Sequence, residues 1–325
     1  MKQMQRIGIL TSGGDAPGMN AAVRAAVRAA VYHGVTPFGI YRGYQGIIDR
    51  TGRVLGPRDV SDTIQRGGTV LLTARCEAFF HEEGRQEAAK ALREWEIDGL
   101  VLVGGDGTFT GAIKLAEIWD GAMIGVPGTI DNDLYGTDLT IGFDTAVNTA
   151  LDCIDKVRDT AEAHERLFFI EVMGRHAGFI ALATAIAGGA ENVLIPEEPT
   201  DLAEIAANLV ADRKRGKKTG IIVVAEGGAA GEARTVAAKI KEMCGLDAHV
   251  TVLGHVQRGG RPSAVDRVLA TRLGAFAVEA LMQGETGKMA GEQGGEAVLV
   301  PFTEAIGRKK EPNAYLRKLI RILAT

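Results

Sequence analysis

Short apolar runs recur along the chain at residues 7–10, 100–103, 123–126, 167–172, 221–225 and 250–253, each followed by small or polar residues. Runs this short, without polar alternation, read as strands buried on both faces. Segments of helical spacing separate them, and that alternation predicts βαβ units on largely parallel sheets, an α/β protein. The first helix is the most legible: Val23, Val27 and Val31 repeat every four residues in an alanine-rich stretch. It is expected to start near Asn20, a residue suited to an N-cap, and to stop at Gly34.

Length changes the picture first. A chain of 325 residues exceeds the size at which one core usually stops growing, so two α/β lobes are expected, with a cleft between them. The 43 glycines cluster where apolar runs stop, as turns and helix ends require. A hydrophobic content of 46% with 24% charged residues is that of an ordinary globular protein. No apolar run approaches the ~20 residues of a membrane span. Met1 to Arg6 lead straight into a strand pattern with no signal-peptide core, so a cytoplasmic location is expected. A formal net charge of −4 argues against a surface built to hold nucleic acid. Cys76, Cys153 and Cys244 are far apart and form no CxxC, which points to neither a disulfide framework nor structural zinc.

Candidate chemistry lies in two loops. Gly104-Gly105-Asp106-Gly107-Thr108 follows the 100–103 run, and Pro127-Gly128-Thr129-Ile130-Asp131-Asn132-Asp133 follows the 123–126 run. Both should emerge at the carboxyl edge of one parallel sheet, where open α/β sheets bind ligands. The glycines let backbone N–H groups approach a polyphosphate, Asp106 can hold Mg²⁺, and the second loop offers carboxylates to a hydroxyl. A third glycine-rich turn, Thr11 to Gly18, precedes the first helix and suits an anion, although such turns also arise for steric reasons alone. It is neither a Walker loop nor a GxGxxG fingerprint, and HExxH, GxSxG and HRD patterns are absent from the sequence. The loops together suggest phosphoryl transfer.

Six motifs in order, TSGGDAPGMNAA (11–22), RGGTVLLTAR (66–75), GGDGT (104–108), PGTIDND (127–133), EVMGRHAG (171–178) and LGHVQRGG (253–260), closely resemble the bacterial ATP-dependent 6-phosphofructokinases. The likeness runs from about Arg6 to the stretch before Val298. It implies transfer of the ATP γ-phosphoryl group to the C1 hydroxyl of fructose 6-phosphate. It also implies two Rossmann-like three-layer lobes with the active site in the cleft: residues 1–142 plus 257–308 for the nucleotide, and 143–256 plus 309–325 for the sugar phosphate.

Carried over by motif, Gly14, Gly105, Asp106, Gly107 and Thr108 surround the nucleotide phosphates with Asp106 on Mg²⁺, and Arg75 spans the transferred group. Tyr44, Cys76 and Gly111 match positions near the nucleotide. Asp131 matches the general base and Arg175 the group that stabilises the transferring phosphoryl, with Asp133 in an electrostatic supporting role. An extended 131–133 segment would aim both carboxylates the same way, raising one pKa unless cations offset it. The alternative is that Asp131 and Asp133 merely cap a turn. Sugar-phosphate contacts carry over to Thr129, Met173, Gly174, Arg175, Glu226, His255 and Arg258. Arg166 and a second arginine reach the 6-phosphate from a neighbouring subunit of a homotetramer in this family, and here the second position is His249. A histidine is shorter and mostly neutral at pH 7, so that contact should weaken.

The resemblance further implies an effector site for ADP or phosphoenolpyruvate at Arg24, Arg28, Arg158, Gly189, Glu191, Arg215, Lys217 and Lys218, with Pro57 where the family has an arginine and Arg58 next to it. By charge pattern alone Arg24 and Arg28 read as a solvated face, and 213–218 as a basic helix end. Pyrophosphate-dependent members carry an aspartate and a lysine where this chain has Gly107 and Gly128, which favours ATP. Two rival readings remain open: a kinase with another acceptor, since GGDGT also occurs in lipid and NAD kinases, and a non-catalytic sugar-phosphate sensor.

Overall fold

The computed structural model describes residues 4–228 and 230–323. In chain order the elements are β1 (Arg6–Thr11), α1 (Met19–Tyr32), β2 (Thr36–Ile40), α2 (Gly43–Ile48), β3 (Gly52–Val54), α3 (Glu82–Glu94), β4 (Gly99–Gly104), α4 (Asp106–Ala116) and β5 (Ala122–Pro127). There follow α5 (Phe143–His164), β6 (Leu167–Val172), α6 (Phe179–Ala187), β7 (Asn192–Leu194), α7 (Leu202–Lys214), β8 (Gly220–Ala225), α8 (Ala233–Cys244) and β9 (Ala248–Val252). The chain closes with α9 (Ala264–Met282), β10 (Lys288–Gln293), β11 (Glu296–Pro301), α10 (Phe302–Gly307) and α11 (Ala314–Leu323).

Two compact units divide the chain. One takes in the described residues up to Ile130, with Leu134–Thr145 and Arg258–Lys310. The other takes in Asp131–Asp133, Ala146–Gln257 and the residues from Glu311 onward.

The first unit holds a seven-stranded sheet in the order β11-β10-β5-β4-β1-β2-β3. Its five inner strands are mutually parallel, and only the flanking β3 and β11 run antiparallel. Alternation decides what each face buries. Leu100 and Leu102 of β4 join Leu10, Ile40, Leu92, Phe109 and Phe302 in one cluster beneath α2, α3, α4 and α10. On the other face α1 packs along α9, and α9 also lies against β5. The result is three layers, as the resemblance implies.

The second unit has a four-stranded, wholly parallel sheet in the order β7-β8-β6-β9. Leu167, Phe169, Ile222 and Val224 meet Ile205, Val236 and Ile240 of α7 and α8 on one face. From β6 the side chain of Glu171, 9% exposed, accepts the Ala233 N–H at 2.7 Å. A carboxylate at that helix start satisfies an orphan donor and complements the helix dipole.

Three expectations need correction. Asn20 is not the cap of α1: the helix begins at Met19 behind Gly18, whose φ of 109° only glycine adopts readily. Val31, the last of the valine stripe, is 41% exposed, so the buried face stops short of it. The last expected strand lies at Ala248–Val252 rather than 250–253, because its pairing follows the register Leu167↔Ala248 to Glu171↔Val252.

Close packing of α1 on α9 depends on one glycine. A Cβ at Gly274 would stand 2.5 Å from the Ala22 carbonyl oxygen, a backbone atom that cannot turn aside. Alanine gains about 1 kcal/mol of helix propensity over glycine, but overpacking costs about 1–3 kcal/mol. Gly274→Ala should therefore lower the free energy of unfolding by up to about 2 kcal/mol. Urea titration measures it; a stability at or above the parent would show that the helices can separate without cost.

Candidate active site

Three loops leave the carboxyl ends of β1, β4 and β5, neighbouring parallel strands. Backbone hydrogen bonds continue past the strands: Ser12 N–H donates to Val103 O and Gly128 N–H to Gly104 O, both at 3.0 Å. In the first loop Gly13 and Gly14 are exposed. The 66–75 motif is anchored over this edge. Thr11 Oγ1 donates to Leu72 O at 2.9 Å, and Asn20 accepts the Val70 N–H at 2.7 Å while donating to Arg66 O at 3.0 Å. Asn20, buried in the first turn of α1, thus holds the segment that ends at the exposed Arg75. Beside it Cys76 is half-buried, and burial pushes its thiol above the usual range.

The second loop becomes the start of α4. Asp106 is exposed in the first helical turn, where a carboxylate is favoured. A Cβ at Gly107 would meet nothing within 4 Å, so the space beside it is open. Thr108 is buried, and its Oγ1 has no hydrogen-bond partner among the described residues. Tyr44 braces this turn: its hydroxyl donates to Thr108 O at 2.6 Å, its ring stacks on Phe79 at 4.1 Å, and Gly111 leaves room for that ring. Burial holds the phenol protonated well above its ordinary range.

The third loop starts at Gly128, where a Cβ would touch Met19 Cε and Val103 Cγ1 at 3.0 Å. Thr140 Oγ1 donates to Thr129 O at 2.6 Å, and Thr129 Cβ lies 3.6 Å from a Cβ built on Gly105, so the second and third loops adjoin. Asp131 and Asn132 are 7% and 5% exposed, and Asp133 is half-buried. The segment is not extended, which corrects the expected alignment of the two carboxylates: Asn132 takes φ of 52°, a left-handed turn that asparagine tolerates. Arg258 joins the first loop, its Nη1 donating to Asp15 O at 3.3 Å and standing 2.7 Å from a Cβ built on Gly14.

The second unit presents its own edge at the ends of β8, β6 and β9. Met173 is buried, Gly174 takes φ of 153°, and Arg175 reverses the chain at φ of 57° with its side chain exposed. Glu226 N–H donates to Val172 O at 2.9 Å, and a Cβ at Gly227 would fall 2.1 Å from Arg175 O. Glu226 and Arg175 therefore sit on touching turns, with the exposed His255 following β9 on the neighbouring strand. Arg166 and His249 are elsewhere. Arg166 precedes β6 and His249 is the second residue of β9, both toward the opposite end of the strands, with His249 against Phe168 at 5.2 Å between ring centroids. The length of β6 separates the two groups by roughly 17 Å.

Residues 6–281 match the phosphofructokinase family. The chain belongs to that family. It is 59% identical, over 99% of its own length and all of theirs, to the ATP-dependent 6-phosphofructokinases of two Thermus thermophilus strains, and 54% identical to that of Bacillus subtilis over 96% of this chain and 98% of the relative. Among solved structures, phosphofructokinase from Saccharomyces cerevisiae superposes with a TM-score of 0.89 at 36% identity, covering 93% of this chain and 45% of the longer yeast chain. A pyrophosphate-dependent phosphofructokinase from Nitrosospira multiformis shares the fold, with a TM-score of 0.85 at 22% identity. No helix among the described residues is long and apolar enough to cross a membrane.

In this phosphofructokinase-family chain the expected effector residues separate by unit. Arg158 donates to Gly188 O and, at 3.0 Å, to Gly189 O. Glu191 accepts the Ile221 N–H and pairs with Lys217 at 3.3 Å, so Gly189, Glu191 and Lys217 line one small cavity with Ile320. Arg215 turns to Asp212, and Lys218 to Glu165 at 2.7 Å. Arg24 and Arg28 lie on α1 of the first unit, Arg28 reaching Pro57 O at 3.5 Å. Sequence reasoning missed Asp266, 1% exposed, which accepts the N–H groups of Gly142 and Thr145, each at 2.8 Å, at the start of α5. Burial raises its carboxyl pKa. The one sequence signal for it was its place three residues after Ser263, the N-cap of α9.

Proposed function

We propose that this chain transfers the γ-phosphoryl group of ATP to the C1 hydroxyl of fructose 6-phosphate, giving fructose 1,6-bisphosphate and ADP. The observation that carries the reading is the alignment of the three loops at one sheet edge, with the buried Asp131 following the third in sequence. The full-length likeness to enzymes named for this reaction supports it.

Each residue has a part that its surroundings suit. The exposed backbone of Gly14 and the first turn of α4, with Gly105, Asp106, Gly107 and Thr108, cradle the nucleotide phosphates, and Arg75 reaches across the transferred group. Thr108 Oγ1, buried without a partner, offers a hydroxyl to a phosphate oxygen. Asp131 takes the proton of the C1 hydroxyl as that oxygen attacks, with Thr129 and Asp133 beside it. Arg175 stabilises charge on the phosphoryl in flight; Met173, Gly174, Glu226, His255 and Arg258 orient the sugar phosphate.

The residues also fit Mg²⁺. Among those described there is no cluster of three or more acidic, histidine or cysteine side chains, but one exposed carboxylate, Asp106, stands beside the open space at Gly107. Magnesium is commonly held by one or two carboxylates together with substrate phosphates. When bound it neutralises phosphate charge.

We further assign regulation by ADP or phosphoenolpyruvate to the Arg158, Gly189, Glu191 and Lys217 cluster with Arg24, Arg28, Arg215 and Lys218, in a cytoplasmic homotetramer. The placement of Arg166 and His249, far along the strands from Arg175, supports their serving a neighbouring subunit's substrate.

A coupled assay for fructose 1,6-bisphosphate tests the reading. The parent should be active, and Asp131→Asn should lose roughly 10²–10⁴-fold in kcat with modest change in sugar half-saturation; equal turnover would reject Asp131 as base. Because Gly107 has open space where an aspartate would meet the α-phosphate, Gly107→Asp should abolish most turnover with ATP. Efficient turnover by the parent with pyrophosphate in place of ATP would overturn the donor assignment. His249→Arg should lower fructose 6-phosphate half-saturation and change the steepness of its saturation curve; unchanged curves would remove His249 from the contact.

A further inference from the structure

We infer that Gln257 is a positioning residue: its amide sets the Met173–Arg175 turn from which the sugar-phosphate side chains project. The inference rests on the proposed function above and adds to it a residue that touches no substrate. Gln257 is fully buried, 0% exposed, in the short turn of 3₁₀-helix Gly254–Arg258. Its Oε1 accepts the Met173 N–H at 2.8 Å, and its Nε2 donates to the Ala146 carbonyl at 3.3 Å. All three residues belong to the second unit, Ala146 and Gln257 being the first and last residues of its long segment.

The geometry demands both ends of the amide. Met173 is the first residue beyond β6, buried at 8% exposure, so its N–H needs an acceptor that the sheet no longer supplies. Directly after it the backbone passes through Gly174 at φ of 153° and Arg175 at φ of 57°, conformations that persist only when their surroundings determine them. From behind, the turn is fixed by the close approach of Gly227 to Arg175 O. At its first residue Gln257 holds it through the bond to the Met173 N–H. Because Nε2 ties the same amide to the first turn of α5, the amide cannot rotate without losing one bond, and Oε1 stays aimed at Met173. His255 lies two residues before it, in the same turn of 3₁₀-helix.

A residue in this role should affect the sugar phosphate and not the nucleotide. The test compares the parent with Gln257→Met, which keeps length and volume but neither hydrogen bond, and Gln257→Glu, which keeps the acceptor for Met173 and loses the donor to Ala146. Half-saturation for fructose 6-phosphate and for ATP, kcat and thermal midpoints are measured on each full-length protein. Gln257→Met should raise fructose 6-phosphate half-saturation by about 10-fold or more and lower kcat, since a small displacement of a positioned group can cost up to ~10²-fold, while ATP half-saturation stays within about 2-fold. Gln257→Glu should fall between Met and the parent, and carries the same test if the methionine variant does not fold. An active parent whose variants keep sugar half-saturation within about 2-fold, or lose sugar and ATP affinity in parallel, would overturn the inference alone. A parent that makes no fructose 1,6-bisphosphate would overturn the proposed function and this inference with it.

Discussion

The parallel pairing of β1, β4 and β5 is the constraint from which the candidate site follows. Register Thr11↔Val103 and Gly104↔Pro127 brings the three strands to an end at one level, so the three loops begin side by side although Thr11 and Pro127 are far apart in sequence. Parallel strands buried on both faces leave little choice of register, because each side chain must fall into a packed layer. Val101 to Val103 have no exposed surface at all. The starting points of the loops are therefore set by the core, and glycine serves where the packing is close, as at Gly128 against the Met19 and Val103 side chains.

Much of this was legible in the sequence. Short apolar runs, broken in β6 only by Glu171, marked β1, β4, β5, β6 and β8 within a residue or so of their ends, because strands buried on two faces carry a strong signal. Strands without that signal escaped notice. β2 contains Pro37 and Gly39, β3 and β7 are three residues each, and β10 and β11 carry polar residues at their ends. The Gly294-Gly295 pair between β10 and β11, both at positive φ, was the one available sign of that hairpin.

The site was legible in a different way. Loop composition pointed to phosphate chemistry at Asp106 and to carboxylates for a hydroxyl in the 127–133 loop, with the resemblance singling out Asp131, but side chains that hold neighbouring segments were misread or unseen. Asn20 looked like a cap and is instead an anchor for residues 66–70, since Gly18 already starts the helix. Asn132 takes a left-handed turn inside a segment that read as extended, which changes where the flanking carboxylates can point. Gln257 and Asp266 bind main-chain groups distant in sequence; nothing in local periodicity reports a long-range side-chain to backbone bond. Such contacts depend on the finished fold, which is why pattern reading reaches candidate reactive groups more readily than the side chains that brace the backbone around them.

A crystal structure with a non-hydrolysable ATP analogue and fructose 6-phosphate both bound would test the central claim most directly. The account predicts phosphate oxygens against the backbone of Gly14 and Gly105 to Thr108, and the Asp131 carboxylate within hydrogen-bond distance, or one bridging water, of the C1 hydroxyl. Nucleotide phosphates bound away from this sheet edge, or Asp131 remote from that hydroxyl in every ligand-bound copy, would contradict it.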